Sequence, residues 1–388
     1  MVVRAAAVLL IALAACTPPP SPAPVVDESE MGPRYVSVDT MPGRPPVLRE
    51  WPVMGSLLRI SVWHADTARA LAAMEAARAA VFRVDSLTSV EHAGGEVAAA
   101  NRRAGSDSAT VLSPWTADVL GQALAISAAS SGALDVTAGP LVDAWASHRA
   151  RNTVPTQALR DSIAARVGWE KVRFDRATRQ LRMPVRGMRM DLSAIARGYA
   201  VDRAVEALRA GGVASGLVDL GGRFRVFGVA PVGPRWILGL QDPRNAGEVF
   251  ASALADSGGV AVVGSYEHFY VAGDARYSTV FDPRARHPAR GVVAVYVLAP
   301  AAATADALAS ALYVLGPEAG CRYAIAHPGV EAVWVRDTGA RGEKEGHDEA
   351  LDPELVVITD GLATRLEILG EEPLEDKPTP CSALLQAH

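Results

Sequence analysis

A chain of 388 residues that is 49% apolar with a formal net charge of -5 can bury a sizeable core, as one large domain or two ordinary ones. Its 38 basic and 43 acidic residues are nearly balanced. That lacks the basic excess needed to bind a phosphate backbone, so nucleic acid is excluded as a partner.

The chain opens with Arg4 and an unbroken apolar run that ends in Leu13-Ala14-Ala15-Cys16. The run is too short to span a bilayer, which takes about 20 residues. A charged start, a short apolar stretch and small residues before a cut site describe a secretory signal. Cysteine directly after Leu-Ala-Ala resembles the bacterial lipobox, which assigns residues 1–15 to a lipoprotein signal peptide and Cys16 to lipidation. The alternative is an ordinary secretory signal with a chance cysteine. The stretch from Cys16 to Pro46 is rich in proline and reads as an extended tether, so the folded domain is expected over residues 47–388. Only Cys321 and Cys381 then remain, and the expectation is a free, buried Cys321.

In chain order, Pro52 to His64 alternates as a strand and Ala65 to Val84 reads as an amphipathic helix with Asp66 and Thr67 as cap candidates. A polar loop leads to Asn101, and Ser113 to Ser130 is a second helix with Pro114 in its first turn. Gly and Pro punctuation from Ser131 to Trp145 predicts irregular backbone. Short strands are expected at Val172 to Phe174 and Gln180 to Met183, and Asp191 to Ala210 begins as a turn and becomes a helix. Leu217 to Leu220 is a strand ending in Gly221-Gly222, with Arg225 to Val229 and Trp236 to Gln241 as its expected neighbours. Further strand signals lie at Gly259 to Val263, Tyr277 to Phe281, Val292 to Leu298, Val333 to Val335 and Val356 to Ile358. Ala302 to Leu315 is a helix stopped by Gly316-Pro317, and Ile358 to Gly361 resembles a hairpin turn. Strands in bursts between long helices favour an α+β fold over a doubly wound sheet.

The common phosphate-loop, dinucleotide and zinc signatures are missing. Asp306 and Ser310 share one face of an otherwise apolar helix, and a carboxylate there needs a partner. A hard cation such as magnesium takes that combination of donors, whereas the plainer reading is an aspartate answering the helix dipole. The run from Asp191 to Asp202 is rich in small residues that let backbone approach a ligand, ahead of a helix whose amides suit an anion.

Taken together, Met54-Gly55-Ser56, Asn101, Gly132-Ala133-Leu134-Asp135, Gly139 to Val142, Asp191 to Asp202, Asp219-Leu220-Gly221-Gly222, Tyr277 to Arg284 and Ala305 to Ser310 resemble the ApbE family of FAD:protein FMN transferases. The resemblance covers roughly residues 50 to 335 and implies a monomeric α+β domain. It further implies a lipoprotein of the bacterial cell envelope, anchored by lipid on the periplasmic face. With Mg2+ and FAD bound, such a domain transfers FMN to a Thr or Ser hydroxyl of a membrane respiratory or redox protein and releases AMP. It places FAD contacts on Met54, Ala133, Leu134, Asp135, Asp191, Arg197 and Val280, and the metal on Asp306, Ser310 and the Ala194 carbonyl. Asp306 and Thr279 take the catalytic positions.

Several positions depart from the family pattern. Thr279 stands where the family usually has His and cannot act as a base near neutral pH. Val262-Val263 replaces Thr-Ser, Arg223 replaces the Asp of Gly-Gly-Asp, and Val90 replaces an aromatic residue. These departures leave two alternatives to transfer, FAD hydrolysis to FMN and AMP, or a degenerate, non-catalytic FAD-binding lipoprotein. His268 and His287 are candidates to replace the lost His, although each reads more simply as an exposed loop residue.

Overall fold

The structure, a computed structural model, describes residues 45–245, 247–265, 269–272, 275–337, 355–369 and 377–387. The expected signal peptide, Cys16, nearly all of the tether and His268 lie outside the described residues.

Nine strands form a central sheet whose spatial order repeats the chain order. They are Val47–Val53, Ser56–Val62, Gly216–Leu220, Arg223–Phe227, Gly258–Gly264, Val292–Ala299, Glu331–Arg336, Val356–Ile358 and Thr379–Pro380. Neighbours are antiparallel except the last pair. Alternate side chains leave a strand on opposite faces, and Gly258–Gly264 shows how this builds layers. Val260 and Val262 join Phe224, Val226 and Tyr296 in one core, while Ala261 and Val263 join Leu308 and Leu312 in another. On the second face the helices Thr67–Thr88, Ser193–Ala210 and Ala302–Ala326 pack against one another and the sheet. The first face is covered by a three-stranded sheet of Trp236–Gln241, Val249–Ala255 and Leu366–Ile368. The architecture is α+β, as expected.

Local chemistry explains most element boundaries. The Asp66 carboxylate caps the first helix by accepting from Arg69 N at 3.0 Å. Gly221 and Gly222, at φ +59° and +77°, form the two-residue turn between Gly216–Leu220 and Arg223–Phe227, a turn that requires positive φ at both positions.

Several expectations are corrected. The single strand from Pro52 to His64 is two strands, because Met54 and Gly55 turn the chain at φ +54° and +67°. Pro140 does not disrupt structure but sits in the first turn of the helix Gly139–Arg149, where its missing N–H costs nothing. Trp236–Gln241 belongs to the small sheet and does not neighbour Gly216–Leu220. Tyr277 to Phe281 is not one strand but parts of Ala275–Ser278 and Phe281–Asp282. Residues 358–361 do not make a hairpin, since Val356–Ile358 pairs with Glu331–Arg336 and Leu366–Ile368 pairs with Val249–Ala255. Gly316, at φ +71°, ends the first stretch of the 302–326 helix as expected, but the helix resumes at Pro317. Finally, Cys321 is not free: it forms a disulfide with Cys381, Cα to Cα 5.4 Å, and ties the C-terminal segment to this helix.

Candidate functional site

The turns at 54–55 and 221–222 lie together at one edge of the central sheet because their strands pair, with Leu58 opposite Leu220. The approach is tight, since a Cβ on Gly221 would stand 2.3 Å from Ser56 Oγ. The start of the 193–210 helix, the 302–315 helix and the segment from Ala133 to Ala138 close around these turns. The two helices meet through Gly198, where a Cβ would be 2.2 Å from the Ala302 carbonyl oxygen and 2.7 Å from Asp306 Cβ.

A cavity of about 590 Å³ opens there. It brings together Ala133, Leu134, Asp135, Asp191, Ala194, Arg197, Thr279, Val280 and Ser310, residues spread over almost 180 positions of sequence. Arg223, Val262 and Val263 line it as well. Met54 lines a second cavity of about 830 Å³, which shares Gly55, Asp191, Ser193 and Arg197 with the first. Asp306 lies beneath this cleft and is fully buried.

Hydrogen bonds fix the cleft's walls. Asn101 Nδ2 donates to the Met190 carbonyl at 2.9 Å and its Oδ1 accepts from Met190 N at 2.7 Å, a two-point clamp that sets Asp191 beside the cavity. Asp191 Oδ1 accepts from Ser193 N at 2.9 Å at the helix start. Asp135 accepts from Thr137 N and Oγ1, both at 2.7 Å, and from Trp169 N at 3.1 Å, and burial raises its pKa against these bonds. Met54 N–H is held by Asp85, whose pKa is raised by burial.

Asp306 has both oxygens engaged. Oδ1 accepts from Arg223 Nε at 2.9 Å and Oδ2 from Gly198 N at 3.0 Å, with the two side chains 1% and 17% exposed. Arg223 also donates from Nη1 to the Gly221 carbonyl at 2.9 Å. A Cβ on Gly221 would be 3.8 Å from Arg197 Nη1, so both guanidiniums stand at this turn. Repulsion by Arg223, then burial, pushes Arg197 down to about 10, with Asp306 opposing. Burial pushes neighbouring Asp219 up to about 6, against the Gly222 amide, Arg59 and Arg223.

Residues 54–334 match the ApbE family model. The chain belongs to the ApbE family. It is 33% identical over 218 residues to an FAD:protein FMN transferase of Salmonella typhimurium, a match spanning 53% of this chain and 62% of that one. The chain therefore spans less than two thirds of that curated relative. A second FAD:protein FMN transferase, from Treponema pallidum, is 31% identical over 300 residues, 73% of this chain and 82% of that one. The fold is similar to the flavin transferase ApbE of Vibrio cholerae, with TM-score 0.65 and 26% identity over 76% of this chain and 95% of that chain. It is also similar to the ApbE protein of Thermotoga maritima, at TM-score 0.67 and 28% identity over 75% and 94%.

Of the expected magnesium ligands, Ala194 and Ser310 line the cavity and Asp306 is buried beneath it, yet the residues around them do not fit the ion. The set offers one carboxylate, one hydroxyl and one carbonyl, and the carboxylate already faces the Arg223 guanidinium. Sequence reasoning flagged Arg223 as a departure but missed its contact with Asp306, because nothing in the local pattern joins positions 83 residues apart. His287 is not an exposed loop residue in this fold. It packs on Trp145 and Tyr277, and burial lowers its pKa, so it stands in an aromatic cluster rather than the cavity wall.

Proposed function

We propose that this chain transfers FMN from FAD to a Ser or Thr hydroxyl of a membrane-associated acceptor protein and releases AMP. The observation that carries this reading is the convergence of the separated family motifs, including Asp135, Asp191, Arg197 and Thr279, on one cleft. In the reaction the acceptor oxygen attacks the FMN-side phosphorus, the bond to the bridging oxygen breaks, AMP leaves, and the hydroxyl proton is taken up by solvent or a base. Such a transfer depends on positioning and on neutralising spread negative charge. Ser193 and Ala194 place the N-terminus of an 18-residue helix at the cavity, and Arg197 and Arg223 add two fixed cations. The expected dependence on magnesium finds no support in this residue set.

The Leu13-Ala14-Ala15-Cys16 sequence supports a lipid anchor in the cell envelope, facing the periplasm. The Cys321–Cys381 disulfide agrees with an oxidising compartment. Release of the Cys16→Ser protein into the soluble fraction tests the anchor, and retention in membranes counts against it.

A second reading, FAD binding without catalysis, is favoured by Thr279 and by Arg223 on Asp306. Incubation of the purified protein with FAD and an acceptor peptide, followed by chromatography for AMP, separates the readings. Acceptor-dependent AMP supports transfer, and acceptor-independent AMP supports hydrolysis. Retained FAD with no AMP supports the binding module and defeats the transfer proposal.

A further inference from the structure

We propose that the Arg223 guanidinium stands in the cation position of this site, and that together with Arg197 it receives the substrate's diphosphate without a divalent ion. The inference rests on reading the cleft as a dinucleotide site, and it assigns the charge that neutralises the phosphates to the chain itself.

Three features support it. First, Arg223 follows the Gly221-Gly222 turn directly, so the hairpin fixes where its side chain begins, and its Nη1 bond to the Gly221 carbonyl fixes where the side chain runs. It is held at Asp306 by structure and does not reach it as a chance surface contact. Second, Asp306 is 1% exposed, and a buried carboxylate must be paired. Arg223 supplies the opposite charge and Gly198 N the second hydrogen bond, so each oxygen of the carboxylate already has a partner. A divalent ion would have to displace a guanidinium and then sit beside Arg197 as well. Third, these contacts use two of the five N–H donors of Arg223, and the residue lines the cavity. The remaining donors form a planar fork that suits phosphate oxygens. Arg197 lines the same cavity from the 193–210 helix, so the two cations and the helix N-terminus converge on one volume.

The test uses the purified chain with Mn2+ as the metal probe, read by electron paramagnetic resonance, and FAD affinity read by flavin fluorescence in EDTA or in magnesium. The wild type is expected to bind FAD equally in both buffers, to lose it to competing inorganic pyrophosphate, and to leave Mn2+ free. Arg223→Asp, which adds a carboxylate facing Asp306, is expected to weaken FAD binding in EDTA by at least about tenfold and to gain one Mn2+ per chain. Arg223→Gln, which places no second carboxylate there, is expected to weaken FAD without gaining Mn2+, and it serves if Arg223→Asp fails to fold. Stoichiometric Mn2+ binding by the wild type, lost in Asp306→Asn, would overturn the proposal while leaving the dinucleotide reading intact. Wild type that binds neither FAD nor pyrophosphate in any buffer would overturn both. FAD affinity unchanged in Arg223→Gln would show that the arginine only closes a vacant acid site, and would overturn the proposal alone.

Discussion

Replacing Gly198 by alanine sets two well-measured effects against each other and asks which wins. Gly198 lies within the helix Ser193–Ala210, where alanine is intrinsically better than glycine by about 1 kcal/mol. The packing opposes this. The added Cβ would meet the Ala302 carbonyl oxygen at 2.2 Å and carbon at 2.6 Å, and Asp306 Cβ at 2.7 Å. Backbone atoms cannot swing aside as a flexible side chain does, so the two helices must separate by about 1 Å, and overpacking of this kind costs about 1–3 kcal/mol. Separation also lengthens the bond from Gly198 N to the buried Asp306 carboxylate, which keeps its Arg223 partner but loses a hydrogen bond at a cost of about 1–3 kcal/mol more. The expected net loss is about 1–5 kcal/mol, read as a fall in the urea midpoint at unchanged slope. FAD affinity should fall with it, since the same contact positions Arg223. A Gly198→Ala protein as stable as wild type, or about 1 kcal/mol more stable, would show that propensity decides and that the helices do not meet as described.

The disulfide gives a second expectation. Closing a loop of 60 residues is worth about 4 kcal/mol in the chain-entropy account, so Cys321→Ser with Cys381→Ser, or a reductant, should lower stability by an amount of that order, and an unchanged urea midpoint on reduction would count against the bond. Asp219 supplies a pH dependence. Its pKa is raised from 3.8 to about 6 by burial, so its own contribution to folding stability is greatest below 3.8, falls as pH rises from 3.8 to about 6 and is flat above that. The fall amounts to at most about 3 kcal/mol at neutral pH, and Asp219→Asn should remove it, whereas an identical pH profile for the variant would refute the assignment. Thr279 lines the cavity where the family usually carries an imidazole, and a missing base costs about 100-fold to 10,000-fold in rate. Thr279→His should therefore accelerate AMP release near neutral pH, and a fast wild type that the substitution slows would place the base elsewhere.

What the sequence disclosed and what it hid divide along physical lines. The start of the first helix was legible because Asp66 caps a periodic segment, and the Gly221-Gly222 turn because positive φ at both positions points to glycine. Strand partners were less legible. Trp236–Gln241 alternates like its neighbours in sequence, yet pairs in a different sheet, because alternation reports a half-buried face and not which sheet buries it. The helix Gly139–Arg149 was obscured by Pro140, since proline disrupts a helix interior but suits its first turn. Cys321 and Cys381 could not be joined from spacing alone, as only the fold brings their Cα atoms to 5.4 Å. At the site, residue types were legible and charge partners were not. The pair Asp306 and Ser310 stands out as a local helical pattern, whereas Arg223 on Asp306 is a tertiary contact.

That contact changes how Thr279, Val262, Val263 and Arg223 are weighed. Read along the sequence, they are scattered departures from a family pattern. In the fold all four line one cavity, so they alter one volume and must be judged together. On the proposed reading, loss of a base slows attack while the two guanidiniums and the helix N-terminus still hold the dinucleotide. The outcome is then a competition between slow attack on phosphorus and dissociation of FAD. If dissociation is faster, the protein behaves as a reversible binder; if slower, it behaves as a sluggish transferase. Thr279→His acts mainly on the rate of attack, and Arg223→Gln mainly on dissociation. Comparing AMP release with FAD residence time in these two variants and wild type therefore reads the two rates separately. A Thr279→His protein whose residence time shortens with no gain in AMP would show that position 279 contacts the ligand and takes no part in proton transfer.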